Sequence, residues 1–165
     1  MASERFVAAL TAQIAREFTA AHQYVAVANY YAAETYPQLA GFFYGQAEEE
    51  REHAMKMVNY LIDRGIQPDI GAVGAPRGAF GDHVEPIRLA LEQERKVTVQ
   101  ISELFEIARE TRDYTSEQFM QWFVEEQVEE EAAMGDLLAV AERTVSVPML
   151  LEEYLARDKP GARPE

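Results

Sequence analysis

Residues 66–81 read IQPDIGAVGAPRGAFG, with Pro68, Gly71, Gly74, Pro76, Gly78 and Gly81 crowded into one short stretch. Proline removes a backbone donor and glycine costs extra entropy when ordered, so this segment breaks helical structure. On either side of it the chain carries helical spacing between sparse breaks. Upstream, Ser3 can cap a first helix, and Pro37 can open a second that Gly65 terminates, with Pro68 beyond it. Downstream, Asp82 can cap a third helix and Asp113 or Thr115 a fourth, and a short segment from Pro148 is apolar on one side. The spacing predicts helices over roughly 3–33, 38–65, 83–112, 115–142 and 148–156.

The first and second helices are joined by only a few residues, as are the third and fourth, so each pair reads as an antiparallel hairpin. The middle connection is different. Its roughly 16 residues can span up to about 53 Å extended, enough to run the length of a ~28-residue helix of about 42 Å. The expected fold is therefore all-α: one domain over residues 1–165, a four-helix bundle with one long crossover and a short fifth C-terminal helix.

A chain of 165 residues and 18.7 kDa can bury a core without covalent staples. The absence of cysteine excludes disulfides, zinc–thiolate sites, iron–sulfur clusters and thiol nucleophiles, leaving oxygen and imidazole as metal ligands. Twenty-nine acidic against fifteen basic residues give a formal charge of -14, which repels nucleic acid and anionic membranes and concentrates cations. Glu4 and Arg5 precede any apolar stretch, and no apolar run of about 18 residues follows. Neither a secretory signal nor a membrane span is expected, and a cytoplasmic location is.

Each long helix carries an apolar stripe, and each stripe is interrupted. The first reads Leu10, Ile14, Glu17, Ala21, Tyr24, Ala28, Tyr31, and the second Leu39, Phe43, Ala47, Glu50, Ala54, Met57, Leu61. The third reads Ile87, Leu91, Glu94, Thr98, Ile101, Phe105, Ala108, and the fourth Met120, Phe123, Gln127, Glu130, Met134, Leu137, Ala141. Glu17, Glu50, Glu94 and Gln127 fall about 11 to 14 residues into their helices, so they meet at mid-bundle whichever way each helix points. His53 lies one turn from Glu50, and Glu130 one turn from Gln127. Clustered buried carboxylates repel one another or must take up protons, and the stripes offer no adequate cation. One or two bound dications would resolve the conflict. Carboxylates with one imidazole and no thiolate suit iron or manganese, and two metals bridged by Glu50 match the ligand count.

At these residues the sequence resembles the bacterial non-haem ferritins, over essentially the whole chain. The likeness is carried by Glu17 followed by Tyr24, by Glu49-Glu50-Arg51-Glu52-His53, by Glu92-Gln93-Glu94-Arg95, and by Phe119-Met120-Gln121-Trp122-Phe123 leading to Glu126-Gln127 and Glu129-Glu130. The resemblance implies a ferritin-like bundle with Glu17 and His53 on a first iron, Glu50 bridging, Glu94 and Glu130 on a second, and Gln127 beside them. It further implies a third, weaker iron site at Glu49, Glu126 and Glu129 with Glu130, and a Tyr24 hydrogen-bonded beside the centre as an electron donor. The implied function is iron storage with ferroxidase activity. Fe(II) is oxidised by dioxygen or hydrogen peroxide, and Fe(III) mineral is stored in a cage of 24 copies of the chain.

Glu-x-x-His appears once, at Glu50 and His53, while the fourth helix offers Gln127-x-x-Glu130, as in ferritins and unlike bacterioferritins. Arg51 stands where bacterioferritins typically carry their haem-ligating methionine, so no haem is expected. A non-storage di-iron peroxidase or oxidase of rubrerythrin type is an alternative, disfavoured by the lack of a cysteine-rich segment. A non-catalytic helical interaction module, folding equally well without metal, is another. Trp122 and the six methionines read as packing, and His22 and His83, without acidic partners on the central stripe, as surface residues.

Overall fold

The computed structural model describes residues 3–158 and 160–161. Among the described residues there are five helices: α1 (Glu4–Ala33), α2 (Pro37–Asp63), α3 (Glu85–Glu110), α4 (Tyr114–Arg143) and α5 (Met149–Arg157). The Ser3 hydroxyl accepts from the Phe6 amide at 3.1 Å, capping α1, and Asp113 accepts from the Ser116 amide at 3.3 Å, capping α4. The start of α2 has no such local cap. Glu152 of α5 supplies one instead, accepting from the amides of Gln38 (2.8 Å) and Leu39 (2.9 Å), which ties the short helix to the bundle.

The third helix starts later than the sequence suggests. Asp82 does gather backbone amides, from Val84 at 2.9 Å and Glu85 at 2.8 Å, but these bonds form a turn, and the helix begins at Glu85 with Pro86 in its first turn. At its other end it stops at Glu110, short of the expected Arg112. Arg112 takes a φ of 56°, while the Asp113 amide reaches back to the Ala108 carbonyl at 2.9 Å. The same wrapped ending closes α1 at Thr35 (φ 64°) and α2 at Gly65 (φ 75°). His83 is also not on the surface: it is buried beneath the chain's return into α3, its carbonyl accepting from the Tyr31 hydroxyl at 2.6 Å and its ring lying 5.9 Å from that of Tyr36.

Residues 66–81 climb the length of α1. The Gly74 amide donates to Thr19 at 3.3 Å, Arg77 and Gln23 exchange two bonds of 2.7 and 2.9 Å, and the Phe80 and Tyr30 rings sit 5.2 Å apart. The chain therefore enters α3 beside the C-terminal end of α1 and descends antiparallel to it, until Glu110 pairs with Arg5 at 2.7 Å. The result is a four-helix bundle with a single long crossover and a short fifth helix. Its apolar interior is divided. One core gathers Tyr24, Tyr31, Phe43, Ile87, Met134 and Leu151, the other Phe6, Leu10, Met57, Ile101, Met120 and Phe123. Among the described residues, no helix is long and apolar enough to cross a membrane.

Candidate metal centre

Between the two cores lies a polar layer drawn from all four long helices. Glu17 of α1, Glu50 and His53 of α2, Glu94 of α3, and Gln127 and Glu130 of α4 are all buried, none more than 5% exposed. Each keeps its helical register, so the apolar residues one turn above and below lock its backbone in the core.

Among the described residues the donors fall into two compact sets. One oxygen each of Glu17 and Glu50 and one ring nitrogen of His53 lie within 4.8 Å of one another, as do donors of His53, Glu126 and Glu130. Histidine 53 joins both: Nδ1 is 3.6 Å from Glu50 Oε2, and Nε2 is 3.9 Å from Glu126 Oε1. Its ring is held edge-on by Trp122 and Phe123, at 5.5 and 6.0 Å. Trp122 thus packs, as expected, yet it packs against the centre, with the Lys56 ammonium 3.6 Å above its ring.

Glu94 belongs to neither compact set, because its carboxylate is held by neighbours. Tyr24 donates a short hydrogen bond to Oε1, and the Gln127 amide donates to Oε2 and to the Glu94 carbonyl, both at 3.2 Å. Glu50 lies within hydrogen-bonding reach of both Glu17 and Glu94.

Electrostatically, the metal-free layer holds more acid than it can ionise. Burial, then the charges of Glu94 and Glu17, push the Glu50 carboxyl far above the ordinary range. Burial raises Glu94 as well, against the lowering effect of bonds from Tyr24 and Gln127. Glu130 is pushed up to about 9 by burial and by Glu94, Glu49 and Glu126. The Tyr24 phenol, raised by burial and by Glu94, stays a proton donor. Despite this crowding, Oε2 of Glu17, Glu50 and Glu130 are buried, and no N–H or hydroxyl donor of the described residues reaches them. Three orphaned carboxylate oxygens in one layer are a deficit of positive charge, and oxygen-binding divalent cations fit it.

The three remaining acidic residues border an adjoining cavity of about 580 Å³. Glu126 is half-buried there, whereas Glu49 and Glu129 are exposed on its wall beside Gly161. Burial raises the Glu126 carboxyl, and the His53 ring opposes that shift. The structure draws Glu126 toward His53 and Glu130, leaving Glu49 and Glu129 outside any compact donor set among the described residues.

One participant is missing from the sequence reading. Gln13 is fully buried one turn before Glu17, and its amide donates to Glu17 Oε1 at 2.7 Å. An amide four residues before a buried acid was the available signal, but Gln13 stands off the apolar stripe on which the other site residues were counted.

The ferritin family model, described as a ferritin-like domain, matches residues 7–144. Ferritin BfrB of Mycobacterium tuberculosis is 47% identical over 154 residues, 93% of this chain and 85% of that protein. A bacterial non-heme ferritin of Staphylococcus aureus is 44% identical over 132 residues, 80% of each chain. Among solved structures, an open pore ferritin from Archaeoglobus fulgidus superposes with a TM-score of 0.91 at 30% identity, covering 96% of this chain and 99% of that one.

Proposed function

The chain belongs to the ferritin family, and from that premise we propose that it stores iron by oxidising Fe(II) with dioxygen at its central layer and depositing Fe(III) as mineral in a cage of like subunits. The observation that supports this most is the set of oxygens on Glu17, Glu50 and Glu130 that no donor of the described residues reaches, buried between two apolar cores where a bound cation supplies the missing positive charge. In this reading Glu17 and His53 hold one iron, Glu50 lies between two, and Glu94 and Glu130 hold the other. Gln127 and Tyr24 fix the Glu94 carboxylate from the far side.

Iron is the substrate here, and the protein contributes geometry and charge. Each Fe(II) yields one electron, so two ions held side by side deliver two electrons to one dioxygen in a single encounter, reducing it, with two protons, to hydrogen peroxide. The carboxylates stabilise the added positive charge of Fe(III), and protons leave Glu50 and Glu130 when iron enters. Glu126, Glu49 and Glu129 then offer a weaker set of oxygens along the neighbouring cavity, a third site and a route outward for the product. Closure into a cage, of 24 subunits by likeness to the family, turns oxidation into storage.

Aerobic addition of Fe(II) to the purified protein, following dioxygen uptake and particle size, tests the reading. Rapid uptake by the wild type, lost in Glu50→Ala, is expected, together with a large particle that gains iron. A small monomer, or uptake equal in the variant, overturns it.

A further inference from the structure

Gln13 has no part in the oxidation as described, yet its orientation is fully specified. Arg16 Nη1 lies 3.1 Å from Gln13 Oε1, and a guanidinium can only donate, so that atom is the carbonyl oxygen. The NH2 end must then face Glu17 Oε1, at 2.7 Å. Helical spacing puts all three residues on one face of α1, Arg16 three positions and Glu17 four positions from Gln13. Arg16 reaches this point from outside, where it borders a groove between α1 and α3 with Lys96 and Gln93.

The consequence lies in the other oxygen. Glu17 Oε2 is buried and receives no N–H or hydroxyl donor from the described residues; the neighbouring group within hydrogen-bonding reach of Glu17 on the inner side is the Glu50 carboxyl, itself a candidate ligand. The terminal torsion of a carboxylate is soft, and an unrestrained Glu17 could rotate to offer both oxygens to one cation. We infer that Gln13, oriented by Arg16, is a positioning residue that reserves one oxygen of Glu17 and presents only the other to metal. Glu17 then serves as a single-oxygen ligand and leaves a coordination position at that ion for the second reactant. The inference rests on the proposed metal centre.

Cobalt(II) titration of the metal-free protein tests it without turnover, because the visible absorption of Co(II) weakens as its coordination number rises. Four variants are needed: Glu17→Ala, Gln13→Met, Arg16→Met and Arg16→Lys. In Gln13→Met, affinity at the site that Glu17→Ala removes is expected to fall about tenfold or more, with weaker absorption per cobalt as Glu17 turns both oxygens inward. Arg16→Met, at an exposed position, should move both readouts in the same direction, and Arg16→Lys, which keeps a donor for the Gln13 carbonyl, should restore them. If Gln13→Met loses helical circular dichroism, Arg16→Met alone decides. Unchanged spectra and affinities within about twofold for the folded variants overturn the inference. If Glu17→Ala still loses its cobalt in that case, the metal centre stands without it. Should Glu17→Ala bind cobalt as the wild type does, the proposed centre itself has failed.

Discussion

Glu130 holds its proton up to about pH 9, because burial and the charges of Glu94, Glu49 and Glu126 disfavour its ionised form. In the unfolded chain the same carboxyl titrates near 4.5. Between those limits the folded state carries a proton that the unfolded state lacks, so stability of the metal-free protein falls as pH rises from about 4.5 to about 9. Glu50, shifted in the same direction, adds to the slope. At the proposed centre, a divalent ion would reverse the balance by replacing those protons. At pH 7, cobalt binding is therefore expected to release about one proton or more per chain, measured by calorimetry in two buffers of different ionisation heat. Heat independent of the buffer would contradict the protonated layer. That these residues are acids at matching depth was legible from spacing alone. Which oxygens are left without a donor was not, because both oxygens of Glu94 are taken by Tyr24 and Gln127 from other helices and one oxygen of Glu17 by Gln13, and spacing does not fix those side-chain directions.

Helix by helix, local chemistry accounts for most boundaries. Ser3, Pro37, Gly65 and Asp113 act where their side chains and backbones predispose them to act. The shifted limits of α3 have equally local causes: a turn held by Asp82, and a left-handed arginine at position 112 where no glycine marks the stop. The α2 N-terminus is the exception, capped by Glu152 from the far end of the chain. Glu152→Ala removes the acceptor of two backbone amides in one stroke. Thermal unfolding should show a loss of about 1 to 2 kcal/mol, and amide exchange should speed up at Gln38, Leu39 and along α5. Exchange unchanged at those two amides would show that α5 is held by packing alone.

Across the whole molecule, a polar, acid-rich layer interrupts what would otherwise be one continuous core. Its cost appears only without metal. Glu50→Leu is expected to raise the stability of the metal-free protein by about 1 to 2 kcal/mol, read from denaturant midpoints, while abolishing the stabilisation that metal confers. In the wild type, that stabilisation should reach about 2.7 kcal/mol at a free metal concentration 100 times the dissociation constant. A Glu50→Leu variant less stable than the wild type would show that Glu50 serves packing and not binding.

Periodicity and chain breakers act within a few residues, so the order of amino acids alone dictates four long helices, the single crossover and acids at one depth. Contacts between positions far apart follow a different rule. Glu152 meets residues 113 and 114 positions away, Tyr24 meets Glu94 across 70, and His83, in the connection leading into α3, is buried against Tyr31 and Tyr36. Docking angle and rotamer settle such partners, and neither is encoded in spacing.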